Sequence, residues 1–431
     1  MKIIHTADIH LGSPMRGLDP TRDAAEDVSV EEIRRAPERA FAGLIDLALA
    51  EAVDAVLIAG DLFDGTWKDN RTGLAFVRQC NRLADAGIRC ILVHGNHDAQ
   101  SPITSRLKLP ANVKVLSSLH PETWRDDRLG LAVHGQSFPR PETTANLAAN
   151  YPKPLGSLCN IGLLHTAADG LTREHAPYAP CRAEDLAAHG YQYWALGHVH
   201  QRTTLVDEPP VVFCGNLQGR HARECGERGF VLVEIDDATG RATPRFVTGD
   251  VVRWQQLHID ASDLRSVDDI YDRAGAAMRT ERTAAGARPI ALRIEITGAT
   301  SLHARLARGD PDELRANFIL AADGAGGGFW LEKVVLSTSP SRDLQQLATG
   351  DSELAVLLRV IDREASMTAA DPERLDGWTK SLDDLARLLS SDCDAEEPLL
   401  EALRRRDYTA LLGRARQRAL VELLTLGGGE S

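Results

Sequence analysis

Apolar residues recur in two rhythms along the first half of the chain. Residues 2–7 (KIIHTA) form a short, largely apolar run. Phe41, Leu44, Ile45, Ala48 and Leu49 fall at i, i+3, i+4, i+7 and i+8, which is one face of an amphipathic helix. Ala55 to Ala59 is an unbroken apolar run closed by Gly60. A helix-period stretch over about 72–86 follows, and then Ile91 to Val93. Further runs cover Leu131 to Val133, Ile161 to Leu164, Tyr193 to Leu196 and Val211 to Phe213. Short apolar strands separated by helices predict an α/β domain with a buried sheet over residues 1–250.

The pattern changes near residue 250. Ala291 to Ile296 alternates polar and apolar positions, as a half-exposed strand does, and a helix-period stretch over about 262–282 precedes it. Gly324, Gly326, Gly327 and Gly328 lead into Phe329, Trp330 and Leu331, whose bulk reads as core. Residues 251–340 therefore predict a small α+β domain. Residues 341–431 are Leu-rich and of helical period, with an acidic stretch at Asp392, Asp394, Glu396 and Glu397. A basic stretch runs over Arg404 to Arg406, Arg414, Arg416 and Arg418, where alternating arginines ordinarily mark a solvated face. A length of 431 residues allows this three-part division, at roughly 100–200 residues per domain.

Composition narrows the function classes. No run approaches the ~18 consecutive apolar residues of a membrane helix, and Asp8 and His10 interrupt the first run, so neither a membrane partner nor a secretory leader is expected. Seven scattered cysteines without a CxxC pair argue against a disulfide framework or a zinc ribbon and for buried thiols in a reducing, cytoplasmic setting. The net charge of −13 argues against bulk attraction to nucleic acid, although local patches decide contact.

Polar clusters follow the apolar runs. Asp8 and His10 follow the first, Gly60-Asp61 the second, and Gly95-Asn96-His97-Asp98 the third. His165 ends the 161–164 run, and Gly197-His198-Val199-His200 follows Trp194 to Leu196. Sites in open α/β sheets form outside the carboxyl ends of the strands, and neighbouring strands lie about 4.8 Å apart. Asp8, His10, Asp61, Asn96, His165, His198 and His200 thus offer mixed oxygen and imidazole donors without thiolate. That set suits Mn²⁺, Fe or Zn²⁺ and exceeds what one tetrahedral ion needs. Two cations ~3.5–4 Å apart clamp both oxygens of an in-line phosphoryl displacement and acidify a shared water. His5, His94 and His134 read as packed residues, and His120, His175, His189, His258 and His303 as surface ones.

Taken in order, D-x-H, G-D, G-N-H-D, H and G-H-x-H resemble the signature of the calcineurin-like metallophosphoesterases over about residues 1–235. IIHTADIHLGS, LIAGDLFD, VHGNHD and LGHVHQ resemble the SbcD-type DNA-repair exonucleases, and residues 215–224 (GNLQGRHARE) are similar to their YhaO-like subgroup. The resemblance implies sheets flanked by helices, with the α+β segment as a cap and a helical C-terminal region. It implies that Asp8, His10 and His200 bind one divalent metal, Asn96, His165 and His198 a second, manganese being the first choice for both, and that Asp61 bridges them. His97 would serve the leaving oxygen, with Asp98 orienting its ring. Asp64 stands where some relatives carry a histidine, which leaves its role open. Arg220, His221 and Arg223 could hold DNA phosphates, and Trp67, Lys68 and Arg71 could contact a nucleotide. DNA and an SMC-like ATPase of the SbcC type docking on 341–431 are the implied partners, and a homodimer is left open. The expected activity is DNA exonuclease or endonuclease. The alternatives are a phosphodiesterase or phosphatase for small phosphoesters, or a scaffold that keeps the fold without catalysis.

Overall fold

The computed structural model describes residues 1–15, 17–18, 28–65, 70–100, 107–170, 178–341, 353–370, 402–403, 407, 409–416 and 419. Trp67, Lys68, His175, Arg404 to Arg406, Arg418 and the acidic stretch near 392–397 lie outside them. Two compact units are formed. The first takes Met1–Gln255 with Ala285–Leu292 and Gly328–Trp330; the second takes Gln256–Ala284, Arg293–Gly327 and Leu331–Ser431.

The first unit holds two six-stranded sheets. One has β1 (Lys2–Thr6), β2 (Ala55–Ala59), β3 (Arg89–Val93) and β4 (Val113–Val115) running parallel, with β11 (Gly229–Ile235) and β12 (Ala242–Thr248) antiparallel at its other edge. The other has β6 (Leu131–Gly135), β7 (Cys159–His165), β8 (Tyr193–Gly197) and β10 (Pro210–Phe213) parallel. Its antiparallel edges are β5 (Glu122–Asp126) and β9 (Thr203–Asp207). This is a mixed α/β fold of sheets flanked by helices.

Strand alternation explains why the central runs lack polar positions. In β2, Val56 and Ile58 join a core with Phe41, Leu44 and Ile45 of the helix Ala36–Ala50 and with Phe76 and Leu83 of the helix Asn70–Asp85. Ala55, Leu57 and Ala59, pointing the opposite way, join Val133, Ile161, Leu163, Tyr193 and Ala195 between the two sheets. On the far face of the second sheet, Leu164, Trp194, Leu196 and Phe213 pack with Phe138, Tyr151 and Leu186. A strand covered on both faces reads as a continuous apolar run. Burial of these side chains contributes ~1.5–3 kcal/mol each for the larger ones before entropy is counted.

Buried histidines of the first unit away from the strand ends are paired. His5 hydrogen-bonds the Tyr193 hydroxyl at 2.9 Å and the Leu196 carbonyl at 3.1 Å, and His134 bonds Thr123 and Asn160. Both are packing residues. Trp330 is fully buried within the first unit, as its bulk predicts.

Strands β13 (Arg253–Asp260), β14 (Ile290–Thr300) and β15 (Phe329–Pro340) form a three-stranded sheet in that order, most of it in the second unit. Arg293 clamps Glu332 across it with two 2.7 Å bonds. The helix Val267–Ala285 buries Ile270, Ala274 and Met278 at helical spacing. His303, expected at the surface, is buried and bonded to Thr338 at 2.8 Å. The structure also describes a helix over Glu353–Ala370, and Arg416 pairs with its Asp362 at 2.6 Å in solvent. Among the described residues, no helix is long and apolar enough to cross a membrane.

Candidate metal centre

The carboxyl ends of β1, β2, β3, β7 and β8 deliver the polar clusters to one place. After β1 the chain runs beside the chain leaving β2: Asp8 N donates to Gly60 O, His10 N to Asp61 O, and Leu11 N to Leu62 O, at 2.9–3.1 Å. From β7, His165 reaches the β2 end, its Nδ1 donating to Ala59 O at 2.9 Å. From β8, the His198 N–H donates to the Asp8 carboxylate at 3.0 Å.

The backbone is held in costly shapes here. Asp8, His10 and Asp61 have φ of 48°, 49° and 50°, and His198 has 103°. Such left-handed non-glycine residues persist only where their surroundings over-determine them, and they gather at functional sites. Gly95 is required by close approach, because a Cβ there would lie 2.3 Å from Asp61 Oδ1 and 2.8 Å from the His165 ring.

Three groups of donors lie with their atoms within 4.8 Å of one another: Asp8, His10 and His200; His10, Asp61 and His97; Asp8, Asp61 and His165. The first is one expected half-site in full. Asp61 is shared by the other two. Asn96 Oδ1 lies 3.2 Å from His165 Nε2, and the His198 ring is 5.1 Å from that of His165. Five of the seven expected donors share these groups, and Asn96 and His198 lie beside His165.

The donor set fits divalent cations, and the structure carries its own test of that fit. Both ring nitrogens of His10 are buried and make no hydrogen bond, a costly state for a polar group unless something completes it. His10 is fully buried, and its Nε2 sits 4.0 Å from Asp61 Oδ2. Burial, then the neighbouring Asp61 charge, raises the Asp8 carboxyl well above the usual range; burial, and then Asp98, pushes Asp61 up to about 7. Two buried carboxylates and an unpaired imidazole in one pocket are the environment that a bound cation inverts. His165, donating through Nδ1, presents its Nε2 lone pair to Asp61 Oδ2 at 3.5 Å.

Several contributors lay beyond sequence reasoning. Glu224 accepts from His200 at 2.7 Å, from the Asn216 side chain at 2.9 Å and from the Arg220 main chain at 2.7 Å. Burial alone would raise its carboxyl, but the Arg220 charge and the His200 bond outweigh that and hold it well below the usual range. Glu224 thereby fixes the His200 ring and directs Nε2 to within 3.8 Å of Asp8. Arg228 donates to His200 O and Asn216 Oδ1, which fastens the loop from beneath.

One expectation is corrected. Asp98 does not orient the His97 ring. Its carboxylate is consumed by the N–H groups of Leu62 (3.1 Å), Phe63 (2.9 Å) and Gly95 (3.1 Å), so it ties the loop after β2 to the loop after β3. His97 is 36% exposed at its side chain, and its Nδ1 accepts from Gly65 N–H at 3.2 Å. The basic triplet also divides. Arg220 points toward Asp64 and Glu224, His221 Nε2 lies 3.6 Å from Glu224, and Arg223 is exposed.

Comparison with known proteins agrees with this geometry. Residues 1–202 match the family model of the calcineurin-like phosphoesterases, so this part of the chain is a calcineurin-like metallophosphoesterase domain. Residues 254–339 match the model for the middle domain of metallophosphoesterase YhaO. The uncharacterized metallophosphoesterase YhaO of Bacillus subtilis is 32% identical over 278 residues, 63% of this chain and 66% of that one. A DNA double-strand break repair protein Mre11 of Aeropyrum pernix is 28% identical over 295 residues, 64% of this chain and 67% of that one. The SbcD component of the nuclease SbcCD of Rhodobacter capsulatus is 36% identical over 124 residues, 26% and 24% of the two chains. These similarities support the SbcD/YhaO-type family. The chain spans about two thirds of the YhaO and Mre11 relatives and about a quarter of the SbcCD component.

Proposed function

We propose that the chain is a metal-dependent DNA nuclease of repair, hydrolysing phosphodiester bonds. The observation that supports the reading is the clustering of Asp8, His10, Asp61, His165 and His200 in overlapping groups of donor atoms, with both ring nitrogens of His10 buried without a hydrogen bond. Asp8, His10 and His200 would hold one divalent cation and Asn96, His165 and His198 the other, with Asp61 between them. Manganese suits oxygen and imidazole donors of this kind. When bound, the cations offset phosphate charge and provide a water acidic enough to attack phosphorus at neutral pH.

The chain's own residues do the rest. Glu224 and Ala59 O fix the rings of His200 and His165, so each presents one defined nitrogen. Because His97 Nδ1 accepts from Gly65, its proton sits on Nε2, ready for the leaving sugar oxygen. Arg220, His221 and Arg223 are the reading's candidates for DNA phosphates. The division into 1–250, 251–340 and 341–431 belongs to the same reading, with an SMC-like ATPase docking on the last part.

The test is purified protein with Mn²⁺ on end-labelled duplex DNA, single-stranded DNA and a bis-aryl phosphodiester. Cleavage of DNA and of the small ester is expected. Cleavage of the small ester alone would defeat the nuclease reading, and no cleavage of any substrate would favour a scaffold. Deleting 341–431 should spare the small ester and abolish co-purification of an ATPase; retained co-purification would refute that assignment.

A further inference from the structure

Arg220 stands apart from the other basic residues of its loop. Its side chain is only 13% exposed. Nη1 lies 3.6 Å from Asp64 Oδ2, an ion-pair distance too long for a hydrogen bond. Nη2 lies 3.3 Å from Glu224 Oε1 and 3.4 Å from His200 Nδ1. Nε is buried and has no partner. A guanidinium carries five N–H donors in a fixed fork, and these contacts leave most of them uncommitted.

Asp64 is 8% exposed and sits inside the same group. One of its oxygens is 4.0 Å from His97 Nδ1; the other is 4.0 Å from His10 Nδ1 and faces Arg220. The carboxylate thus stands among a candidate ligand, the candidate acid and the guanidinium. An arginine withdrawn from water with spare donors is costly unless an anion completes it. A phosphate oxygen pair matches the fork in charge and shape.

We propose that Arg220 binds the non-bridging oxygens of the phosphate being hydrolysed, and that Asp64 is the positioning residue that holds the guanidinium toward them. This rests on the phosphoester reading above and sharpens it. Arg220 serves the reacting phosphate, so it acts on every phosphoester, whereas a contact to distant DNA backbone would matter only for long substrates. Glu224 anchors the guanidinium from the other side while it fixes His200.

The experiment uses the full chain loaded with Mn²⁺ and four variants: Arg220→Gln, Arg220→Lys, Asp64→Asn and the Arg220→Gln/Asp64→Asn double. Turnover of a bis-aryl phosphodiester, calorimetric binding of inorganic phosphate, and bound manganese are measured for each. Arg220→Gln should lower kcat on the small ester ~100-fold, the scale of a lost transition-state donor. It should also weaken phosphate binding at least about tenfold while manganese content holds. Arg220→Lys should restore part of both. Asp64→Asn should lower kcat ~10-fold with little change in KM, and the double variant should be no worse than Arg220→Gln, as expected when one residue acts through the other. Wild-type small-ester turnover and phosphate binding in Arg220→Gln would overturn the proposal, as would loss of manganese there. If Arg220→Gln fails to fold, Arg220→Lys and Asp64→Asn decide it by the same measurements. If the unaltered chain hydrolyses no ester, the functional reading falls; the inference then stands or falls on whether phosphate binding depends on Arg220.

Discussion

Asp98 offers the sharpest test of how the centre is built. Replacing it by alanine strips the acceptor from three N–H groups at once, those of Leu62, Phe63 and Gly95. Asp98 is 2% exposed, and Leu62 and Phe63 are as deeply buried, so no bulk water replaces it. A buried donor left without a partner costs ~1–3 kcal/mol. Three that share one loop junction add imperfectly, which gives ~3–5 kcal/mol for Asp98→Ala. Asp98→Asn keeps one carbonyl oxygen and turns an amide nitrogen against at least one N–H, for ~2 kcal/mol. With a urea slope of ~3 kcal/mol per molar, the alanine variant should unfold ~1–1.7 M earlier. Urea titration followed by tryptophan fluorescence reads this directly. If Asp98→Ala unfolded at the wild-type urea concentration and lost only turnover, the loop-tie account would be wrong and a role at the His97 ring would return.

Three further outcomes follow from the same geometry. His97→Ala should keep both metals, seen by anomalous scattering, and lose ~10²–10⁴ in kcat; missing metal would make His97 a ligand. Mn²⁺ should raise the thermal midpoint with concentration and chelation should abolish hydrolysis, because binding completes His10, Asp8 and Asp61 in the folded chain alone; a midpoint indifferent to Mn²⁺ would contradict this. Burial holds the His5 ring down at about 3, against an ordinary value near 6.5. The unfolded chain therefore takes up a proton that the folded chain refuses as pH falls below ~6.5, and stability declines by up to ~1.4 kcal/mol per pH unit toward pH 3. His5→Phe should be less stable at pH 7 yet show a flatter decline between pH 6 and 4; an unchanged slope in urea midpoints would refute it.

Much of the first unit could be read from the chain because its central strands are covered on both faces. β2 shows this best: an unbroken apolar run admits no other buried element so short, and Gly60 marks its end. The site was legible for the same reason, since polar residues directly after such runs stand out. β5, β9 and β12 were not, because edge strands such as Glu122–Asp126 and Ala242–Thr248 mix exposed charge with few buried positions. Glu224, Asn216 and Arg228 gave no periodic signal either. Their value comes from a loop conformation that only tertiary contacts fix. Asp98 misled because adjacency to His97 in sequence implied adjacency of function, whereas the turn sends its carboxylate to the β2 loop.

Gly197 carries a consequence for ion choice. A Cβ on it would stand 2.0 Å from Ala59 O, so the ends of the two sheets meet main chain to main chain. At that point their separation is set by peptide against peptide, while side chains fill the rest of the space between the sheets. An ion of larger radius, such as calcium, cannot be met by sliding the sheets apart; only rotation of carboxylate and imidazole groups is left to adjust. The centre should accordingly discriminate by size among hard divalent ions.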